Sequence, residues 1–339
     1  MPYDLIALGE PLLRLSPPRH VQLRRAASFD ACVVGSQLNV AANLARLGKR
    51  TALLTRLPDG PLGMLALDAI RGYGVDTSLV QLAAGGKLGA TYVEFSAAPR
   101  PPLAVYDRAG SAAAGIAAAD FEWEAICRDA LSPTTGIAYT DGIFPGLSTG
   151  CRAATLAFLT AARRQGRATC FDLNYREHLW TPAAARQAFG ELLPVVEVLV
   201  TNRGVSETVF GFGGASATDD EGILRQYEER FGCRLVCLTR RESPGLARGA
   251  WSSMALADGK VLHGRRREFE IVDRYGTGDA FVAGLLHAQL TRPGDVQFAL
   301  DFGGALCALA HTIEGDVAHV AVDDVLAAMS DEADLRLRR

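Results

Sequence analysis

DRYGTGDAFVAG, residues 273–284, follows a short apolar stretch with β character (Phe269, Ile271, Val272) and opens the helix former AFVAGLLHAQL. Gly276 and Gly278 allow a tight backbone turn and close approach to a bound group. A helix starting here leaves its first N–H donors unpaired and aims its positive dipole end at the turn. That combination suits a phosphate group. Asp279 stands at the same spot, able to take a proton from a hydroxyl as it attacks phosphorus. Together Gly276, Thr277, Gly278 and Asp279 point to phosphoryl transfer to an alcohol. The same tetrapeptide also reads as a plain helix entry, with Asp279 satisfying backbone donors.

Outward from this turn, short apolar runs alternate with helical patterns. Strands are expected at 3–8, 51–55, 136–140, 168–173, 196–201 and 234–239. Helices are expected at 37–48, 61–73, 149–166, 182–192, 204–210, 219–231, 279–291 and 295–311. Such alternation predicts an α/β fold with a mostly parallel sheet covered on both faces. Ligands in such folds sit beyond the carboxyl ends of the strands. Residues 11–34 and 88–108 break the rhythm with polar–apolar alternation, and predict a small β lid inserted in a single domain spanning 1–339.

The 339 residues suffice for a substantial core, and a formal charge of −3 leaves no general basic surface for nucleic acid. Arg265-Arg266-Arg267 reads as a solvated strand end. No apolar stretch reaches membrane-spanning length, and the N-terminus lacks a signal-peptide pattern, so a cytoplasmic protein is expected. Seven scattered cysteines read as reduced, mostly buried thiols, and the six histidines show no metal-ligand spacing.

Other polar groups fall where a site belongs. Gly35 precedes a small-residue helix whose first turn carries Asn39, able to bond a polyol or simply to sit polar at a helix start. Phe171-Asp172-Leu173-Asn174-Tyr175-Arg176 follows a strand, and Tyr106-Asp107-Arg108 ends the lid. A guanidinium at either place suits a carboxylate or phosphate. Asp301-Phe302-Gly303 lies in a helical pattern without the other kinase motifs, and no Gly-Lys pair precedes Ser or Thr. Gly146-Leu147-Ser148-Thr149-Gly150 lacks the strand that a nucleophile elbow needs; Ser148 or Thr149 reads as a helix cap.

With GEPLLRLS near the start, YDRAGSAA (106–113), FDLNYREHLW (171–180), IVDRYGTGDAF (271–281) and HTIEGD (311–316), the chain resembles ribokinase-like (PfkB) carbohydrate kinases over nearly its whole length. It is most similar to their 2-keto-3-deoxygluconate kinase branch. The resemblance implies a three-layer α/β/α core with a β lid and lid-mediated homo-oligomers. It implies ATP carrying Mg²⁺, with room for a monovalent cation, and a six-carbon keto-deoxy acid phosphorylated at its terminal hydroxyl. Other sugars (fructose, ribose, keto-deoxygalactonate, a nucleoside) or a non-catalytic sugar-binding regulator are the alternatives. By resemblance Asp279 is the general base and Gly276, Thr277 and Gly278 form the anion hole. Gly35, Asn39, Tyr92, Tyr106, Arg108 and Arg176 match sugar-acid contacts, and Asn202, Thr239, Gly278 and His311 the nucleotide side, with no protein-held metal. The family's Asn-x-x-Glu stands here as Asn202-Arg203-Gly204-Val205, without its acid. Glu207 lies two residues too late to replace it, Thr277 replaces a common Ala or Gly, and Pro58 a usual Gly.

Overall fold

Leu5 and Ala7 of the first strand enter one apolar layer, while Ile6 and Leu8 enter another. Val198 and Val200 divide from Leu199 in the same way, as do Leu235 and Cys237 from Val236 and Leu238. This two-sided burial is why these strands read as continuous apolar runs. The computed structural model describes residues 1–213, 219–243 and 245–330. Its strands are Leu5–Leu8 (β1), Leu12–Ser16 (β2), Asp30–Val34 (β3), Thr51–Pro58 (β4), Val80–Ala83 (β5), Gly89–Glu94 (β6), Leu103–Asp107 (β7), Ile137–Asp141 (β8), Ala168–Asp172 (β9), Val198–Asn202 (β10), Leu235–Glu242 (β11), Arg248–Ala257 (β12), Lys260–His263 (β13) and Arg267–Glu270 (β14).

Ten strands form one sheet in the order β13-β12-β11-β10-β9-β8-β1-β4-β5, with β14 also paired to β12. From β11 to β5 the pairing is parallel; β12, β13 and β14 add an antiparallel edge. Helices Ser36–Arg46 (α1), Pro61–Gly72 (α2), Thr277–Thr291 and Val296–His311 cover one face; Thr149–Arg164, Pro182–Leu192 and Asp220–Phe231 cover the other. The architecture is a three-layer α/β/α fold, as the resemblance implies. The expected helix at 204–210 is a three-residue helical turn followed by a π-turn, Ser206–Phe210. Strands β5, β12 and β13 and the helix Val322–Met329 have no counterpart in the sequence-based expectation, whereas β14 overlaps the stretch with β character read before the glycine turn. No helix among the described residues is long and apolar enough to cross a membrane.

The lid is a second sheet, β3-β2-β6-β7, drawn from the two expected segments. Its alternation decides what faces the core. Leu12 and Arg14 of β2, and Thr91 and Val93 of β6, point inward and line a cavity. The intervening Tyr92 turns outward, where its ring meets Phe29 edge-on at 6.1 Å. Tyr92 is therefore not a contact of the cavity, contrary to expectation; Thr91 takes that place. A strand's period of two makes this a matter of one residue.

Candidate active site

Parallel register brings the polar residues into one row at the carboxyl edge of the sheet. Asp141 at the end of β8 lies beside Asp172 at the end of β9, and Asn202 of β10 beside Thr239 of β11. The turn at Gly276 closes over this edge. Gly276 adopts φ +69°, and a Cβ there would fall 2.1 Å from the Asp316 carbonyl oxygen, so only glycine fits. A Cβ on Gly278 would instead meet open space. Gly276 supplies no side-chain cap to the helix it starts, so the first-turn amides remain available to an anion. Thr277 is buried; its hydroxyl donates to the Arg274 carbonyl (3.0 Å) and accepts from Arg241 Nη2 (2.6 Å).

Two cavities meet here. The larger, about 650 Å³, runs along the strand ends and is lined by Asn202, Thr239, Gly276, Gly278 and Asp279, with Arg176, Arg240, Arg241 and Arg274 supplying positive charge. The smaller, about 100 Å³, lies under the lid between Gly35, Asn39, Thr91, Tyr106, Arg108 and Asp316. Asp279, Gly276, Arg176, Tyr106 and Tyr275 border both. A hydroxyl in the small cavity and a phosphate in the large one would thus meet at Asp279.

Asp279 accepts hydrogen bonds from Ser36 Oγ and Asn39 Nδ2, each at 2.7 Å. Burial raises its pKa to about 7, against the lowering effect of those two bonds; nearby Asp141 and Asp316 raise it further. Burial also raises Asp172, to about 8, with Asp141 and Asp279 adding to the effect. Asp141 is raised by burial as well, although it accepts from Asn174 Nδ2 (2.9 Å) and from the Gln37 amide. Three carboxyl groups thus converge where the strand ends meet the glycine turn, and each holds its proton to a higher pH than a free carboxyl does. Among the described residues no group of three or more His, Cys, Asp or Glu side chains is arranged to hold a metal ion.

This convergence has a measurable cost. The folded Asp172 carboxyl keeps its proton to about pH 8, whereas the unfolded chain loses it near the ordinary value of about 4. Between those values the native state binds more protons, so stability falls as pH rises. Asp172→Asn removes that fall. Its melting temperature is expected to exceed the parent's by a margin that grows from pH 5 to pH 8, reaching several degrees; calorimetry across the range checks this.

The remaining expected residues divide. Asn39 is near the site, but its amide is committed to Asp279, to Asp316 (3.4 Å) and, through Oδ1, to the Gly35 N–H (3.3 Å). It orients the carboxylate, and its amide has little left to offer a polyol. Arg108 lines the small cavity with its guanidinium already on Glu10, through Nε at 2.8 Å and through Nη2. Arg176 is exposed to both cavities, and among the described residues neither an acceptor nor a carboxylate pairs with its guanidinium. Tyr106 stacks on His178 at 4.9 Å, joining lid to core. His311 is fully buried, stacked on Phe269 at 3.9 Å with Nδ1 against the Cys307 carbonyl, so it does not line the cleft expected to hold nucleotide. Asn202 caps the following turn by accepting from the Val205 N–H (3.0 Å), and Glu207 is paired with Arg203 (2.9 Å). Glu207 does not line the large cavity, whereas the Asp172 carboxylate does.

Sequence reasoning missed Ser36, Thr91, Arg241, Arg274 and Asp316. Thr91 had a readable signal, its place one residue before Tyr92 in an alternating strand. Its Oγ1 is buried with no hydrogen-bond partner among the described residues, and Thr91 lines the small cavity.

Residues 4–320 match the pfkB family carbohydrate kinase model. A 2-dehydro-3-deoxygalactonokinase of Haloferax volcanii is 37% identical over 325 residues, 96% of each chain. A 2-dehydro-3-deoxygluconokinase of Thermoproteus tenax is 31% identical, over 92% of this chain and 90% of the other. The crystal structure of 2-dehydro-3-deoxygluconokinase from Thermotoga maritima superposes with a TM-score of 0.91 at 32% identity, covering 97% of this chain and 98% of that one.

Proposed function

We propose, because the chain belongs to the pfkB family of carbohydrate kinases, that it is a cytoplasmic enzyme moving the γ-phosphoryl group of ATP·Mg²⁺ to the terminal hydroxyl of 2-keto-3-deoxygluconate. The observation that carries the acidic substrate is Arg176, a guanidinium with no partner among the described residues that borders both cavities together with Asp279. A charge there recognises a carboxylate by charge-assisted hydrogen bonds. Arg108, offset by Glu10, shapes the pocket without adding net charge.

In this reading the nucleotide lies along the strand ends, its phosphates toward Asn202, Thr239 and the arginines. The sugar acid lies under the lid with the Thr91 hydroxyl facing it. Asp279 takes the proton of the attacking hydroxyl while the amides of the Gly276–Gly278 turn stabilise charge on the transferred group. Asp172 and Asn202 would face the magnesium that accompanies ATP. The outer lid face exposes Phe29, Leu103 and Val105, an apolar surface that a second copy of the chain would cover.

The galactonate epimer is a second reading, favoured by the 37% identity to the Haloferax volcanii enzyme. The deciding experiment measures sugar-dependent ADP release with 2-keto-3-deoxygluconate, its galacto epimer, fructose and ribose. Turnover of the gluconate epimer well above the rest supports the first reading, and preference for its epimer the second. Turnover confined to neutral sugars discards the acid. Silence on every sugar, with nucleotide bound, leaves a regulator on a kinase fold.

A further inference from the structure

Arg14 sits in β2 of the lid, yet its side chain is buried in the core beneath it (4% exposed). Nη2 donates to Asp273 Oδ2 at 2.9 Å, Nη1 donates to Asp316 Oδ1, and Nε reaches Ser16 Oγ at 3.2 Å. The Phe95 and Tyr275 rings each approach its Cζ at 5.0 Å, one from the lid and one from the glycine turn. Asp273 in turn accepts from the N–H groups of Arg274 (2.6 Å), Tyr275 (3.0 Å) and Gly315 (3.0 Å), so it pins the turn that leads to Gly276. The other carboxylate, Asp316, meets Asn39 Nδ2, which also donates to Asp279. A continuous set of contacts thus runs from the lid to the candidate base.

We propose that Arg14 is a positioning residue through which the lid sets the charge state of Asp279: its guanidinium offsets Asp273 and Asp316 and holds Asn39 and the glycine turn in register with the base. This rests on the kinase reading for its consequence in turnover, but not for the electrostatics. Asp279 is faced by Asp316 from the 311–316 loop, by Asp141 and Asp172 from the strand ends, by the Tyr139 phenol, and by Arg241 from β11. Arg176 acts on Asp141 and Asp172, and the Cys32 thiol lies near Arg14 itself. Without Arg14, Asp316, which acts on the base, and Asp273, which holds the glycine turn, lose their countercharge, and a carboxyl beside a like charge holds its proton to higher pH.

The test compares R14Q and R14K with the parent. R14Q is expected to move the acid limb of kcat/KM upward by about one pH unit. Activity then falls about tenfold at pH 6 and recovers toward pH 9, with the KM for ATP little changed. R14K, which keeps the charge, is expected to return the limb most of the way. An R14Q limb at the parent position, with activity lowered equally at all pH values, overturns the proposal and leaves Arg14 a structural contact.

A second readout does not need turnover. The difference in melting temperature between each protein and its Asp279→Asn version, followed from pH 5 to 9, reports protonation of Asp279. In the R14Q background its midpoint is expected to shift upward by the same amount, and an unmoved midpoint overturns the proposal. If the parent turns over no sugar, the kinase reading fails while this readout still decides the role of Arg14. Should R14Q fail to fold, D316N serves instead. It removes one of the anions that Arg14 offsets, so the midpoint is expected to fall, and no change would count against the network.

Discussion

Asp279→Asn is expected to lower kcat by at least about 10²–10⁴-fold, the usual contribution of a positioned general base. Nucleotide affinity is expected to stay close to that of the parent, because the turn amides and the arginines lining the large cavity are untouched. Turnover measured by ADP release, with nucleotide binding measured by calorimetry, checks both halves. Near-normal kcat would remove Asp279 from the role.

The parent's pH profile carries the same information. Burial raises Asp279 to about 7, so below that value the carboxyl is protonated and cannot accept the hydroxyl proton. Hence kcat/KM is expected to fall about tenfold per pH unit on the acid side of 7 and to level off above it. The Asp279→Asn variant should lose this limb altogether. An unperturbed carboxylate would instead place the limb near 4.

Arg176→Ala is expected to reduce kcat/KM for the keto-deoxy acid by about 10- to 150-fold. That corresponds to loss of a charge-assisted bond of roughly 1.5–3 kcal/mol. Turnover of a neutral sugar such as fructose, however slow, should change little or improve. An Arg left unpaired by a neutral substrate gives nothing to lose on truncation. Equal losses for acidic and neutral sugars would show that Arg176 serves phosphate rather than carboxylate. Arg108→Ala differs in kind: it strands the buried Glu10 carboxylate, so destabilisation is expected alongside any loss of activity, and thermal melting separates the two.

Much of this was readable before any coordinates. The strand at 198–202 could be located because Val198, Leu199 and Val200 form a continuous apolar run, buried on both faces of the sheet. Ser148 was legible as a cap, and it accepts from the Cys151 N–H as a cap should. Strand β12 escaped because Ser252 and Ser253 break its apolar pattern; its place comes from eight residues of pairing with β11, which local sequence does not encode. Tyr92 was placed in the pocket by resemblance alone; the strand's period of two puts its neighbour Thr91 there instead.

His311 shows another limit. A histidine late in the chain reads equally as a ligand or a core residue, and the stacking of Phe269 decides for the core. Arg108 and Arg176 look alike as sequence, each following a Tyr within a motif near an expected site. Their difference comes from Glu10, 98 residues from Arg108, whose carboxylate occupies that guanidinium, while Arg176 has no such partner among the described residues.

The glycine turn, the helix behind it and the α/β alternation are local properties, set by backbone freedom and side-chain periodicity over a few residues, and the sequence by itself determined them. The charge state of Asp279, the outward turn of Tyr92 and the pairing of each arginine depend on burial and on partners far away in the chain. Desolvation and pairing exist only once the sheet and lid have closed around those groups, so the tertiary structure alone decided them.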